Sequence, residues 1–235
     1  MTIKLRNVNK GFVREVALQN VNLTFGKGKI YGLVGPNGSG KSTILKLMTG
    51  LVFPSKGEVI LNGQVVTRQS AEQVSYLTEL DMHYEGFTVT ETINYVASQF
   101  KSFNKKKAEQ LLKTLKLDPT KKIKKLSKGN RGRLKLVTAL ARDTDVILLD
   151  EPFSGLDPMV REETVKSLLQ YVDLENQVII IATHEIAEIE PLLDEIIVLY
   201  YGEVLGQENV EILREEHGQS VLDWFKTTIR AREDV

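Results

Sequence analysis

The stretch GPNGSGKST, residues 35–43, decides how this chain is read. It matches the pattern GxxxxGK[ST] in full. It lies between an apolar run, Ile30–Val34, and a helical pattern over Thr43–Thr49 that stops at Gly50. Glycines at 35, 38 and 40 let the backbone bend so that its N–H groups converge on anionic oxygens. The helix N-terminus behind the loop adds about half a positive charge. In such a loop Lys41 is expected to reach the β- and γ-phosphates of a nucleotide, and Ser42 to place its hydroxyl on Mg²⁺. Gly35, Pro36, Asn37, Gly38, Ser39, Gly40, Lys41, Ser42 and Thr43 are thus the expected phosphate-binding segment.

Further along, VILLDE (146–151) sets four apolar residues before two acids. Open α/β sheets bind ligands at the carboxyl ends of their strands, which is where Asp150 falls. Two adjacent carboxylates there are costly unless a cation or hydrogen bonds compensate. Asp150 is therefore the candidate for Mg²⁺, directly or through water. Glu151 is the candidate to orient and polarise an attacking water. Pro152 is expected to hold Glu151 extended and to close the strand. A third apolar run ends in Thr183-His184. His184 faces the same crevice if the strands are neighbours, and it can then hydrogen-bond a terminal phosphate.

Ile30–Val34, Val146–Leu149, Val178–Ala182 and Ile196–Tyr200 are apolar without alternation, the pattern of a parallel sheet covered on both faces. The first 30 residues read as short strands with turns. Asn62-Gly63 within GEVILNGQVV (57–66) predicts a hairpin. Asp157-Pro158 opens a helix carrying Val165, Leu168, Leu169 and Val172 at helical spacing. Residues from about 80 to 143 read as purely helical. Thr88 and Glu91 have capping-box spacing before the face Ile93, Val96, Ala97, Phe100. A second face, Ala108, Leu111, Leu112, Leu115, stops at Asp118-Pro119. The expectation is a single α/β domain: a core over 1–78 and 144–205, a helical lobe over 79–143, and a helical C-terminal extension over 206–235.

The chain has 235 residues and no cysteine, so disulfides, cysteine-bound zinc and thiol nucleophiles are excluded. The longest apolar run, Ile196–Tyr201, is far short of the roughly 18–20 residues of a membrane helix. The opening MTIKLRNVNKGF lacks the apolar core of a secretory signal. Lys+Arg (31) and Asp+Glu (31) balance overall but not locally. Residues 101–142 carry 15 basic and 2 acidic side chains, whereas residues 143–235 carry 6 and 22. A polarised solvated surface, a nucleic-acid patch and attraction between two copies all fit that pattern.

LSKGN (126–130) precedes VILLDE by about 20 residues and opens a helix with Ser127 as its N-cap. With this segment the chain resembles the ATP-binding subunits of ABC transporters over nearly its whole length. GPNGSGKST looks like their Walker A loop and VILLDEP like Walker B. LSKGN resembles the signature usually written LSGGQ, Ser154-Gly155-Leu156-Asp157 the D-loop, and His184 the switch histidine. Phe12 stands where an aromatic stacks on adenine, though a core or surface aromatic reads the same way. Glu79 in YLTEL (76–80) replaces the expected Q-loop glutamine and still offers an oxygen to Mg²⁺. Lys128 replaces a glycine of the signature, and Asn130 replaces its glutamine.

The resemblance implies a P-loop NTPase core of the RecA-like kind with a mostly parallel sheet, an N-terminal antiparallel β subdomain and an inserted helical subdomain. It also implies ATP hydrolysis with Mg²⁺ as cofactor, and a head-to-tail pair of ATP-binding subunits. In that pair Ser127, Lys128, Gly129, Asn130 and Asp157 serve the nucleotide of the partner. A separate integral membrane permease would dock near Glu79 to Glu91, and the chain would sit on the cytoplasmic face of the membrane. The Glu79 variant, the LSKG-type signature and the short tail look like bacterial drug or peptide exporters. No nucleic acid is expected as partner. The rivals are a soluble ABC ATPase of DNA or ribosomes, which would carry long coiled coils or two cassettes, and a nucleotide sensor, against which Glu151 argues.

Overall fold

A computed structural model describes residues 2–13, 15–80 and 82–233. The chain opens with β1 (Thr2–Phe12) and β2 (Glu15–Gly26), two long strands rather than several short ones. Next come β3 (Lys29–Val34), α1 (Lys41–Met48), β4 (Lys56–Leu61) and β5 (Gln64–Val65). The β4–β5 hairpin turns on Asn62 and Gly63, both at positive φ (52° and 83°), as a type I′ turn requires.

β6 (Val74–Leu77) leads into the helical lobe. The lobe holds α2 (Val89–Gln99), α3 (Lys105–Thr114) and α4 (Lys128–Leu140), with a 3₁₀ turn at Ile123–Lys125. The segment before Thr88 is irregular, so the lobe is not purely helical. Thr88 and Glu91 form the expected capping box. The Ala108 face is buried. Of the α2 face only Ile93 is. Phe100 lies past the helix end, where Arg142 stacks on its ring at 3.8 Å.

The remaining elements are β7 (Val146–Asp150), α5 (Pro158–Tyr171), β8 (Val178–Thr183), α6 (Ile186–Ile189), β9 (Glu195–Tyr200), β10 (Glu203–Asn209), α7 (Val210–Glu215) and α8 (Val221–Glu233). On α5 Leu168 is buried but Leu169 is exposed, because α5 turns only one narrow face inward. β10 runs to Asn209 as an antiparallel edge beside β9, so position 206 lies inside a strand and helix begins only at Val210.

Six strands form one sheet in the order β10-β9-β3-β8-β7-β6, and β9, β3, β8, β7 and β6 are mutually parallel. A second, antiparallel sheet has the order β2-β1-β4-β5. Pleating sends alternate residues to opposite cores. Val178 and Ile180 join the core containing α1 and the antiparallel sheet. Ile179 and Ile181 join the one containing the helical lobe and α8. β6 was not legible as a strand, since its four residues VSYL show neither a run nor a flanking turn signal. Among the described residues no helix is long and apolar enough to cross a membrane.

Candidate active site

The carboxyl ends of β3, β7 and β8 lie side by side in register, with Val34 opposite Thr183 and Asp150 opposite Ala182. That alignment brings residues 35–42, 150–151 and 183–184 to one edge. Gly35 begins the turn because a Cβ there would sit 2.0 Å from the Leu199 carbonyl oxygen. Gly40, at φ 106°, closes the turn onto the first residue of α1. The helix thus starts at Lys41, two residues before the sequence pattern placed it.

Lys41 is only 6% exposed, and its Nζ donates to the carbonyls of Gly35 (2.7 Å) and Pro36 (3.1 Å). Burial lowers its pKa, opposed by the carboxylates of Glu151, Asp150 and Glu79. Ser39 is also buried, and its Oγ has no protein partner, which leaves a donor for a ligand oxygen. A cavity of about 410 Å³ runs over this loop, walled by Phe12, Glu15, residues 37–43, Glu79 and Glu151. Phe12 is 51% exposed, with Lys10 Nζ 5.0 Å from its ring centre, so its ring is an open wall rather than core.

Asp150 is 2% exposed. Ser42 Oγ donates to its Oδ1 at 3.1 Å and Tyr76 OH to its Oδ2 at 2.9 Å. Burial raises the Asp150 pKa, and these two hydrogen bonds pull it back. A buried anion of this kind, one hydroxyl away from a phosphate loop and walled by oxygen donors, suits a hard divalent cation. Among the described residues no three His, Asp or Glu side chains cluster as a self-contained metal cage.

Glu151 departs from the expected extended conformation: its φ is 48°, in the left-handed region. The strand closes at Asp150, and the turn carries the Glu151 carboxylate back across the strand ends. There Oε2 accepts from Thr183 Oγ1 (2.7 Å), and Oε1 accepts from His184 N (3.1 Å) and His184 Nδ1 (2.7 Å). Behind them Glu188 pairs with Arg161 and stands next to Glu185.

The signature residues lie elsewhere. Ser127 caps α4 by accepting from Asn130 N–H (3.3 Å), and Lys128 extends over Gly155. Asp157 caps α5 by accepting from Val160 N–H (3.1 Å). None of Ser127, Lys128, Gly129, Asn130 and Asp157 lines the phosphate cavity. Asn130 instead faces a cationic hollow of about 520 Å³ with Lys116, Lys121, Lys122 and Lys125. Sequence reasoning missed Tyr76 and Thr183. Tyr76 was masked by the unrecognised strand β6, and Thr183 passed as a strand end beside a more eye-catching histidine.

Residues 18–154 match the family described as ABC transporter. The lantibiotic transport ATP-binding protein SrtF of Streptococcus pyogenes is 31% identical over 219 residues, 90% of this chain and 95% of that protein. The sulfate/thiosulfate import ATP-binding protein CysA of Caulobacter vibrioides is 35% identical over 215 residues, 87% of this chain and 63% of that one. Among solved structures, the dimeric bacterial ABC transporter cassette MJ0796 superposes with a TM-score of 0.79 at 27% identity, over 88% of this chain and 98% of that one. The same cassette in a post-hydrolysis state bound to ADP and Pi matches equally well.

Proposed function

The chain belongs to the ABC transporter family as an ATP-binding, ATP-hydrolysing subunit, and from that premise we propose how its residues do the work and for what cargo. The observation that carries the proposal is the convergence of Lys41, Ser42, Asp150 and Glu151 on one crevice at the strand ends.

The loop amides of 35–43 cradle the phosphate tail, and Lys41 exchanges the Gly35 and Pro36 carbonyls for phosphate oxygens. Ser42 and Asp150 would hold Mg²⁺, and Glu79 would offer it a further oxygen across the cavity. When bound, the ion neutralises charge on the β- and γ-phosphates. Phe12 supplies an apolar ring for the adenine. Glu151 takes the proton of the attacking water, and His184, already bonded to Glu151, turns to the terminal phosphate. Ser127, Lys128, Gly129, Asn130 and Asp157 stand apart from this crevice, so they serve the nucleotide of a second ATP-binding subunit. The dimeric state of MJ0796 supports that arrangement.

The permease partner docks in an apolar groove of about 470 Å³ lined by Leu51, Leu80, Met82, Tyr84, Phe87 and Tyr95, where β6 meets the helical lobe. Leu80, Met82, Tyr84 and Phe87 of that lining belong to the Glu79 to Glu91 stretch, of which Asp81 lies outside the described residues. Its aromatic, half-exposed lining suits a cytoplasmic segment of an integral membrane protein and supports a peripheral position on that face of the membrane. The likeness to SrtF along nearly the whole of both chains supports a peptide or drug cargo. Outward transport is read from Glu79 and the LSKG-type signature. Phosphate release by the purified chain with and without its membrane partner tests this function. No release in either case would overturn it.

A further inference from the structure

The Glu151 carboxylate is held by more than its histidine. Thr183 Oγ1 approaches Oε2 at 2.7 Å, and the same oxygen accepts the backbone N–H of Glu185 at 3.0 Å. A hydroxyl has a single proton. With its lone pair engaged by Glu185, that proton points at Glu151. Thr183 is 3% exposed, so water does not compete for it. Its backbone is the last residue of β8, fixed opposite Val34 at the mouth of the phosphate loop. The other carboxylate oxygen, Oε1, takes both bonds from His184. The two oxygens are therefore divided between a buried, strand-anchored donor and a more exposed one.

We propose that Thr183 is a positioning residue for hydrolysis, holding Glu151 by Oε2 so that Oε1 is presented to the attacking water once the His184 ring turns away. The step it prepares moves one water proton to Glu151 Oε1 while the water oxygen bonds to the γ-phosphorus. The bond from that phosphorus to the β–γ bridging oxygen breaks, and ADP leaves with its electron pair. Without Thr183 the carboxylate would swing on a left-handed main chain, tied to its surroundings by His184 alone. This inference rests on the assignment of Glu151 as the base.

The test pairs Thr183→Val, which keeps the shape and removes the hydroxyl, with Thr183→Ser, which keeps the hydroxyl and removes the methyl. Misplacement of a catalytic group by about 1 Å costs on the order of 10²-fold, so Thr183→Val is expected to lower kcat about ten- to hundredfold. KM for ATP and the affinity for a fluorescent ATP analogue should stay within about twofold, the signature of a group that acts on the step rather than on binding. Thr183→Ser should restore most of kcat. In a Glu151→Gln background Thr183→Val should cost nothing more, because the two act as one unit. A Thr183→Val enzyme with unchanged kcat, a loss seen in KM alone, a serine variant as poor as valine, or an additive double variant would each overturn the proposal. Full turnover by Glu151→Gln would instead bring down the assignment of the base, and the clamp with it.

Discussion

Tyr76 and Asp150 meet across neighbouring parallel strands, the phenol hydroxyl donating to Oδ2 at 2.9 Å while Ser42 donates to Oδ1. Burial and the adjacent anion raise the phenol's pKa, so Tyr76 stays a donor. The acid thus points at the phosphate loop before any cation arrives. Such preorganisation is bought in stability, since a buried carboxylate with two neutral partners is still poorly solvated.

Asp150→Asn should therefore melt higher than the wild type at pH 7 without nucleotide. In a domain of this size about 1 kcal/mol corresponds to about 2–4 °C. The sign follows from the raised pKa of Asp150, whose contribution to stability fades as pH rises and the group ionises. The variant should also lose the extra stabilisation that Mg²⁺ adds to ATP. Thermal melts with ATP, with and without Mg²⁺, read both effects.

Lys41→Ala should weaken ATP binding about ten- to hundredfold, from the loss of hydrogen bonds between a cation and phosphate worth about 1.5–3 kcal/mol. Titration calorimetry is the measurement, and unchanged affinity would remove Lys41 from the phosphate site.

Glu151→Gln should bind ATP normally yet turn it over about 10²–10⁴-fold more slowly, the usual contribution of a general base. The trapped ATP complex should run as a dimer on gel filtration. Because one chain is basic over 101–142 and acidic over 143–235, sedimentation should show that dimer loosening as salt rises. A dimer indifferent to both nucleotide and salt would contradict the arrangement.

Burial pushes the Glu188 carboxyl up to about 7, with a hydrogen bond to Glu185 in the same direction. A carboxyl more basic in the fold than its ordinary 4.5 binds its proton preferentially when folded. Its contribution is complete below that ordinary value and disappears as pH climbs through the folded one. Glu188→Gln keeps a donor for Glu185 and cannot ionise. The wild type should therefore lose melting temperature relative to the variant between pH 4.5 and pH 7, and parallel curves would refute the titration.

Arg142 ties the lobe to the sheet edge, donating to the carbonyls of Ala71 and Val74 and to Ser102 Oγ. Arg142→Leu strands the buried Val74 carbonyl at about 1–3 kcal/mol and two part-buried acceptors, Ala71 and Ser102, at less. Denaturant unfolding should show a loss of that order. The lobe should also become the first segment to exchange its amide hydrogens.

The sequence made the phosphate loop, the parallel strands and the acids at 150 and 151 legible because each is a local pattern with its own physical signature. A full GxxxxGK[ST] and four unbroken apolar runs leave little freedom of interpretation. Tyr76 and Thr183 were hidden for the opposite reason. Each matters only through a partner more than 30 residues away, supplied by strand register. β10 escaped because its residues, EVLGQEN, are half-covered and carry no run. The conformation of Glu151 ran against the preference set by Pro152, since three hydrogen bonds to its side chain outweigh it.

The left-handed backbone at Glu151 sets heat resistance against work. Glycine or asparagine tolerates that geometry more easily, by about 1–2 kcal/mol over an ordinary residue. A mutant library sorted only for survival at high temperature would enrich those residues at 151 and discard the carboxylate. Selection for toughness alone would thus yield sturdy, idle proteins, and any screen on this scaffold needs a second gate that counts phosphate.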